Sequence, residues 1–511
     1  VSGTQIADTT YSNSTAATFS NNGTLAGVLS NATSSVSDIV TMTAAGNFSG
    51  KNVGSNLAVT MNSSLAGDDA GNYQLAQQTG LTGNITKRTV TLSNTQVYSG
   101  SNSLTGVTVS TGVAGESLTY SGATANSSHV ADNSSNYFTA ITLGNQSGAT
   151  SASGGLVSNY QLPSLTARSA DNTVTITAAN LTLTATGNIC RAYNGSANAT
   201  VGSGNYTVSG LLSGDSLTLS NLTTAVYNSI HVASATNVTV SNLTINTVTG
   251  NHSSAVSDYS LQTTSLIYGS GGQAGTNANI SAAGITVTAV NVSRAYGASN
   301  PTSGNTALTT GTLYNGDTLS TATLTSAANA TTSAGSTANL TASAQTFSAG
   351  SASDYSISYA NGTLSVTKAW LGISVAGVYS GTTSIAPTSF TLSGLMNGET
   401  VTSLSATTIN NANVSSNGAN YVTGITSGGG SANLGNYRLN NGYNGTTGQN
   451  TTNKVTLSAA PLTITANAAN MSYNGTAYTG GTVSYSGFVG SDGNGSMSGT
   501  LLYSGTSQGA V

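Results

Sequence analysis

The chain has 511 residues, of which only 4% are charged, with a formal net charge of −4. Typical soluble proteins carry about 25% charged residues. So small a balance argues against nucleic acid or an anionic membrane as partner. No run approaches the roughly 20 apolar residues needed to span a bilayer as a helix, and a single cysteine, Cys190, excludes an internal disulfide.

In chain order, a tyrosine followed by Ser, Asn or Gly recurs at Tyr11, Tyr98, Tyr193, Tyr296, Tyr379 and Tyr473, at intervals of 87, 95, 103, 83 and 94 residues. A second marker closes each of the first five units: Gly71-Asn72-Tyr73, Ser158-Asn159-Tyr160, Ser257-Asp258-Tyr259, Ser353-Asp354-Tyr355 and Gly435-Asn436-Tyr437. Four units carry a Gly-acid pair before an apolar strand, at Gly115-Glu116, Gly214-Asp215, Gly316-Asp317 and Gly398-Glu399. Repetition on this scale belongs to arrays, whose function usually resides in the array.

Segments such as Thr173–Thr177, Leu181–Thr184, Ile285–Thr288, Leu364–Thr367, Val455–Ser458 and Leu462–Thr465 alternate apolar and hydroxyl residues. That is period two, the signature of a half-buried strand. Asn-Gly, Ser-Gly and Gly-Asp pairs punctuate them as hairpin turns. The expected fold is all-β: a tandem, rod-shaped array of small β modules, β-grasp-like or immunoglobulin-like, with short stiff connections. The expected divisions are 1–88, 89–179, 180–284, 285–369, 370–460 and an incomplete 461–511. The chain reads as a segment of something longer, or as a piece completed by a neighbour. The recurrent tyrosines are expected at the core edge, each hydroxyl reaching a backbone group.

Chemistry-bearing residues are sparse. His129, His231 and His252 show no partner pattern and read as satisfied or solvent-facing. Gly67-Asp68-Asp69-Ala70-Gly71-Asn72 lacks the alternating ligands of a calcium loop and reads as a turn. Gly271-Gly272 and Gly428-Gly429-Gly430 are followed by neither a helix start nor a lysine, so they are not phosphate cradles. Cys190 reads as buried and inert, with an intermolecular link as the alternative. No catalytic residue, metal ligand or cofactor is expected.

Asn-X-Ser/Thr occurs 28 times. In twelve cases, at Asn47, Asn84, Asn180, Asn205, Asn221, Asn237, Asn242, Asn279, Asn291, Asn339, Asn413 and Asn470, the middle residue is large and apolar. On a strand this buries the middle residue and turns Asn and hydroxyl outward together. N-linked glycans there would keep a nearly uncharged β surface soluble and blunt its edges. Sequons in tight turns, Asn194-Gly195-Ser196 and Asn474-Gly475-Thr476, are weaker candidates.

Tyr11-Ser12-Asn13, Gly50-Lys51-Asn52 and Leu65 to Leu75 together resemble the YDG repeat of large bacterial surface proteins. Arg294-Ala295-Tyr296-Gly297, Tyr314 to Leu319 and Asp354 to Thr367 resemble the MBG repeat, and Pro461 to Ala466 with Tyr485 to Phe488 and Leu502 to Ala510 another MBG type. The second, third and fifth units look YDG-like. Such repeats occur in filamentous-haemagglutinin-like exoproteins and giant adhesins. The resemblance implies compact β modules and an extracellular or cell-surface structural role, with no catalysis. Self-association, head to tail or lateral, or attachment to other cell surfaces follows as the expected partnership. Direct binding of host glycans or matrix, favoured by an exposed cluster of Tyr137, Phe138, Tyr160 or Tyr421, is one alternative. A self-assembling filament with strand donation is another.

Overall fold

The computed structural model describes residues 1–30, 37–439, 452–473, 475–476, 478 and 480–500. The turn sequon at Asn474 and the motif from Leu502 to Ala510 lie outside them. The protein is all-β, and among the described residues the helical content consists of 3-10 turns of three residues each. Two compact units divide the chain. One comprises Val1–Arg191, Ala197–Ile230 and Ser234–Ile280; the other comprises Ala192–Ser196, His231–Ala233 and Ser281–Val511.

Alternation does what the sequence requires. In Asn172–Thr177, Val174 and Ile176 are buried while the threonines between them are not. This closing strand of the second repeat runs parallel to the opening strand Thr91–Val97, from Leu92 opposite Asn172 to Val97 opposite Thr177. Thr108–Ser110 flanks the opening strand antiparallel. The same plan recurs in the fifth repeat, where Ala369–Val378 pairs parallel with Asn453–Ser458 and antiparallel with Pro387–Ser393. Its first residues also pair parallel with Tyr437–Leu439. A parallel pair needs a long crossover, here supplied by hairpins such as Thr119–Ala125 with Phe138–Gly144.

Buried asparagines stitch hairpin to closing strand. Asn172 Oδ1 accepts the Phe138 N–H at 2.7 Å, and Asn453 Oδ1 accepts that of Val422 at 2.9 Å. Both amides are fully buried, so their bonds satisfy groups that would otherwise be costly inside. The fourth repeat differs. Its strands form a seven-stranded sheet in which Ala283–Ala289 pairs parallel with Tyr355–Ala360 and Val292–Ala295 parallel with Gly362–Thr367.

Connections between repeats are short. One residue, Ala178, separates the closing strand Asn172–Thr177 from the next opening strand Ala179–Ala185. In five repeats the opening tyrosine anchors to the end of its closing strand through its own N–H. The acceptors are the carbonyls of Thr86, Thr177, Ser281, Thr367 and Ser458, at 2.8 to 3.0 Å.

Cys190 departs from expectation. It is exposed, because the alternation in Asn188–Ala192 puts Ile189 inside and its neighbour outside.

Candidate functional site: a repeated tyrosine–carboxylate clasp

The opening tyrosine is followed by a residue with positive φ in every one of these turns: Asn13 at 60°, Gly100 at 73°, Gly195 at 74°, Gly297 at 82° and Gly381 at 72°. That conformation suits Gly and Asn and explains the residues that follow the tyrosine. At Gly297 a Cβ would also sit 2.4 Å from the Met396 side chain. The turn therefore lies directly against the next repeat.

The acid turn of that next repeat is equally regular. The acid N–H bonds the carbonyl three residues back: Glu116 to Val113, Asp215 to Leu212, Asp317 to Tyr314 and Glu399 to Met396, at 2.9 to 3.3 Å. Asp492 bonds Val489 in the same way at 3.2 Å. This fifth turn escaped the sequence pattern because its glycine stands one place earlier.

Each carboxylate gathers tyrosines from both sides. Glu116 accepts Tyr11 at 2.7 Å and Tyr160 at 2.6 Å on separate oxygens. Glu399 accepts Tyr296 and Tyr437, both at 2.5 Å. In the second unit Asp317 accepts Tyr355 at 2.7 Å and Tyr193 at 3.3 Å. Asp215 accepts Tyr259 at 2.6 Å and is reached by Tyr98 through Ser254. The paired rings meet edge to face, with centroids 5.4 to 5.6 Å apart. Hydrogen bonds to a charged group contribute about 1.5–3 kcal/mol each, and edge-to-face contact about 0.5–1.5 kcal/mol more. The expectation that these hydroxyls reach backbone groups is corrected: their partners are carboxylates, or for Tyr98 the Ser254 hydroxyl that leads to one. Backbone N–H groups instead donate to the marker tyrosines, from Tyr314 to Tyr355 and from Met396 to Tyr437, each at 2.9 Å.

Burial is the largest cause for most clasp phenols, while for Tyr296 and Tyr379 the bonds to Glu399 and Asp492 come first. Burial, then the bond to Asp215, pushes Tyr259 up to about 12; Tyr437 is raised to about 12 by burial and then Glu399. Burial and the charge of Asp317 take Tyr193 to about 12. Tyr11, Tyr160 and Tyr355 are raised for the same reasons. For Asp215, burial favours the neutral acid, but bonds from Ser254, Tyr259 and His252 outweigh it and hold the group at about 2.

The residue before four of the marker tyrosines makes a second contact. Its side-chain oxygen accepts a backbone N–H: Val53 to Asn159, Val130 to Asp258, Val232 to Asp354 and Ala334 to Asn436, at 2.8 to 2.9 Å. Where that residue is Asp, a histidine accompanies it. His129 Nδ1 is 2.7 Å from Asp258 and His231 Nδ1 is 2.7 Å from Asp354. Where it is Asn159, the companion is Asn52, at 2.9 Å. His252 lies 3.1 Å from Asp215. The three histidines are therefore satisfied, one of the two roles expected of them, by aspartate partners that the sequence reading did not name. The signal was in the sequence: His precedes Val in the two repeats whose successors carry Asp-Tyr.

The first repeat holds an acid and marker of its own. Tyr73 donates to Asp38 at 2.5 Å and accepts the Leu29 N–H at 2.9 Å.

The expected sugar acceptors are distributed over the surface, away from the clasp apart from Asn413. Asn47, Asn180, Asn279 and Asn339 are exposed on strands, with Phe48, Leu181, Ile280 and Leu340 buried beside them. Asn237 is half-buried on a strand that buries Val238. Asn84 is half-buried and bonds Asp8 and the Asn56 N–H. Asn205 closes a 3-10 turn, and Asn291 accepts the Thr363 N–H. Asn413 and Asn470 are exposed outside strands. The strand placement of Asn221 is corrected: it and Asn242 are left-handed turn residues at φ 66° and 56°, and Asn221 donates to the Asn242 carbonyl at 2.6 Å. The proposed aromatic patch does not form, since Phe138 and Tyr160 are buried.

Among the described residues no three His, Cys, Asp or Glu side chains gather where a metal could be held, and no helix is long and apolar enough to cross a membrane.

These features define a tandem array of repeat-type β modules locked at their joints. Residues 1–80 and 177–266 are similar to the YDG domain, and residues 285–365 to the MBG domain (YGX type), by match to the models of those families. The matches fall on the first, third and fourth repeats; the second and fifth share their clasp residues. No curated protein matches the chain.

Proposed function

We propose that the chain is a non-catalytic structural stretch of a secreted or surface-anchored bacterial adhesin or extracellular filament, N-glycosylated on its strand faces. The observation that carries this reading is the clasp. Both glutamates of the chain, five of its aspartates and all three histidines are engaged at the joints between repeats, which is the work of a spacer. Sugar on outward sequons such as Asn180, Asn279 and Asn339 would supply the solubility that 4% charge does not. Partners are other copies of the chain or other cell surfaces.

The test is antibody labelling and protease shaving of intact producing cells, with mass measurement of the recovered protein. Surface labelling and masses above 50.2 kDa, with sugar mapped to strand sequons, are expected. Retention inside the cell would overturn the localisation, and unmodified peptides across those sequons would overturn the glycan coat.

A further inference from the structure

The outer face of the fifth repeat collects what the rest of the chain lacks. Trp370, the only tryptophan, is 53% exposed on the strand Ala369–Val378. Arg438, its partner on the parallel strand Tyr437–Leu439, lays its guanidinium over the indole, 3.7 Å from the ring centroid. Four places further along, Ser374 lies opposite Lys454 on one side and Thr391 on the other. At about 3.3 Å per residue, roughly 13 Å of strand separates the two cations. The outward position between them is Gly372, so no side chain of this strand rises there. Beside it runs a groove of about 340 Å³, lined by Ser374, Thr391, Ser393, Thr452 and Lys454 among others. The charge around it is uncompensated. From residue 281 onward the acids are Asp317, Asp354, Glu399 and Asp492, and all four serve the joints. The cations are Arg294, which is buried, and the exposed Lys368, Arg438 and Lys454. Among the described residues Arg438 and Lys454 have no carboxylate partner.

We propose that this face is a binding site for an acidic oligosaccharide, a chain of uronate sugars. Its chemistry matches the three kinds of group present. The apolar C–H face of one sugar ring covers exposed indole surface. A guanidinium stacked on an aromatic ring keeps its in-plane N–H groups free, and Arg438 offers them as a fork to one carboxylate. Lys454 takes the carboxylate of a later sugar, and the hydroxyls of Ser374, Thr391 and Ser393 meet those of the sugars between. A peptide fits less well. Peptides commonly add to a sheet through a free backbone edge, whereas Ala369–Val378 is paired on both sides. The inference stands on this face alone and does not depend on the clasp or on the spacer reading.

The experiment is a titration of the whole 1–511 chain with a galacturonic acid hexamer, read by tryptophan emission, which in this chain reports Trp370 alone. A saturable change is expected, weakened about tenfold or more when the hexamer is fully methyl-esterified and its charge removed. Arg438→Gln and Lys454→Gln, followed by calorimetry, should each weaken binding about tenfold, the loss of one charge-assisted bond. Lys87→Gln, which removes an exposed cation elsewhere, should leave it unchanged. All three side chains are exposed, and an unaltered melting temperature will show that the fold survives. Absence of binding overturns the proposal, as does equal binding of the methyl ester. Unchanged affinity in both Arg438→Gln and Lys454→Gln also overturns it. An oligoaspartate or oligothymidylate of the same charge that binds as tightly as the hexamer overturns the assignment to a saccharide.

Discussion

His129 and Asp258 stand 2.7 Å apart although 129 residues separate them, and the Asp258 side chain is fully buried. The aspartate also accepts the N–H of Val130 and of Ala255, each at 2.8 Å. A buried carboxylate is tolerated only when its lone pairs are satisfied. The histidine is therefore part of the joint, and the Asn52–Asn159 pair is its uncharged counterpart.

Removing the ring tests this. His129→Ala should destabilise the first unit by about 1–3 kcal/mol, the cost of leaving a buried acceptor short of a partner. The double change His129→Asn with Asp258→Asn should recover most of that loss, since it installs the pairing found one joint earlier. A double-mutant cycle read by thermal melting would show the coupling; additive losses would count against it.

Alkali should open the joints. The clasp phenols bind their protons more tightly folded, at about 12 for Tyr193, Tyr259 and Tyr437, than an unfolded tyrosine does at roughly 10. Their contribution is fully present below pH 10 and is lost as pH rises from 10 through 12. Melting temperature followed across that window, together with tyrosinate absorbance near 295 nm, should show unfolding and ionisation in step. Tyrosines titrating near 10 in a still folded protein would contradict the burial argument.

Acid acts on one joint in particular. Asp215 is held at about 2, below its ordinary 3.8. The stability it contributes is present above pH 3.8 and disappears as pH falls from about 4 to 2. Asp215→Asn should flatten that part of the acid-unfolding curve of the first unit and lower the stability at pH 7.

The positive-φ turn offers a purely geometric test. Gly297→Ala places a Cβ at φ 82° and 2.4 Å from Met396. Backbone strain of this type costs about 1–3 kcal/mol. Faster amide exchange at Tyr296, Met396 and Glu399 is expected. Adding Met396→Ala should relieve the contact and leave only the strain.

The repeat units, the all-β class and the half-buried strands were legible because each rests on local signals: alternation, turn residues and recurring markers. The clasp was not, although its tyrosines and four of its five acids had been singled out. Tyr11 and Glu116 are 105 positions apart, and nothing local says that the acid of one repeat serves the tyrosine of the repeat before it. The partners of the histidines went unread for a related reason. Each has a partner in another segment, and only comparison among repeats, Asp-Tyr after His-Val and Asn-Tyr after Asn-Val, exposes the rule. Cys190 was misplaced by residue type against the alternation set by Ile189. Asn221 was misplaced because a sequon with an apolar centre looks alike on a strand and in a left-handed turn.

Opening and closing strands of the second repeat lie parallel, paired over six residues from Leu92–Asn172 to Val97–Thr177. The chain enters at the start of one and leaves at the end of the other. Tension applied through the two ends therefore pulls these strands past each other lengthwise, loading all the hydrogen bonds between them together instead of peeling them apart in turn. A repeat so built is braced against stretching, and the direction in which it resists is the direction in which its neighbours pull.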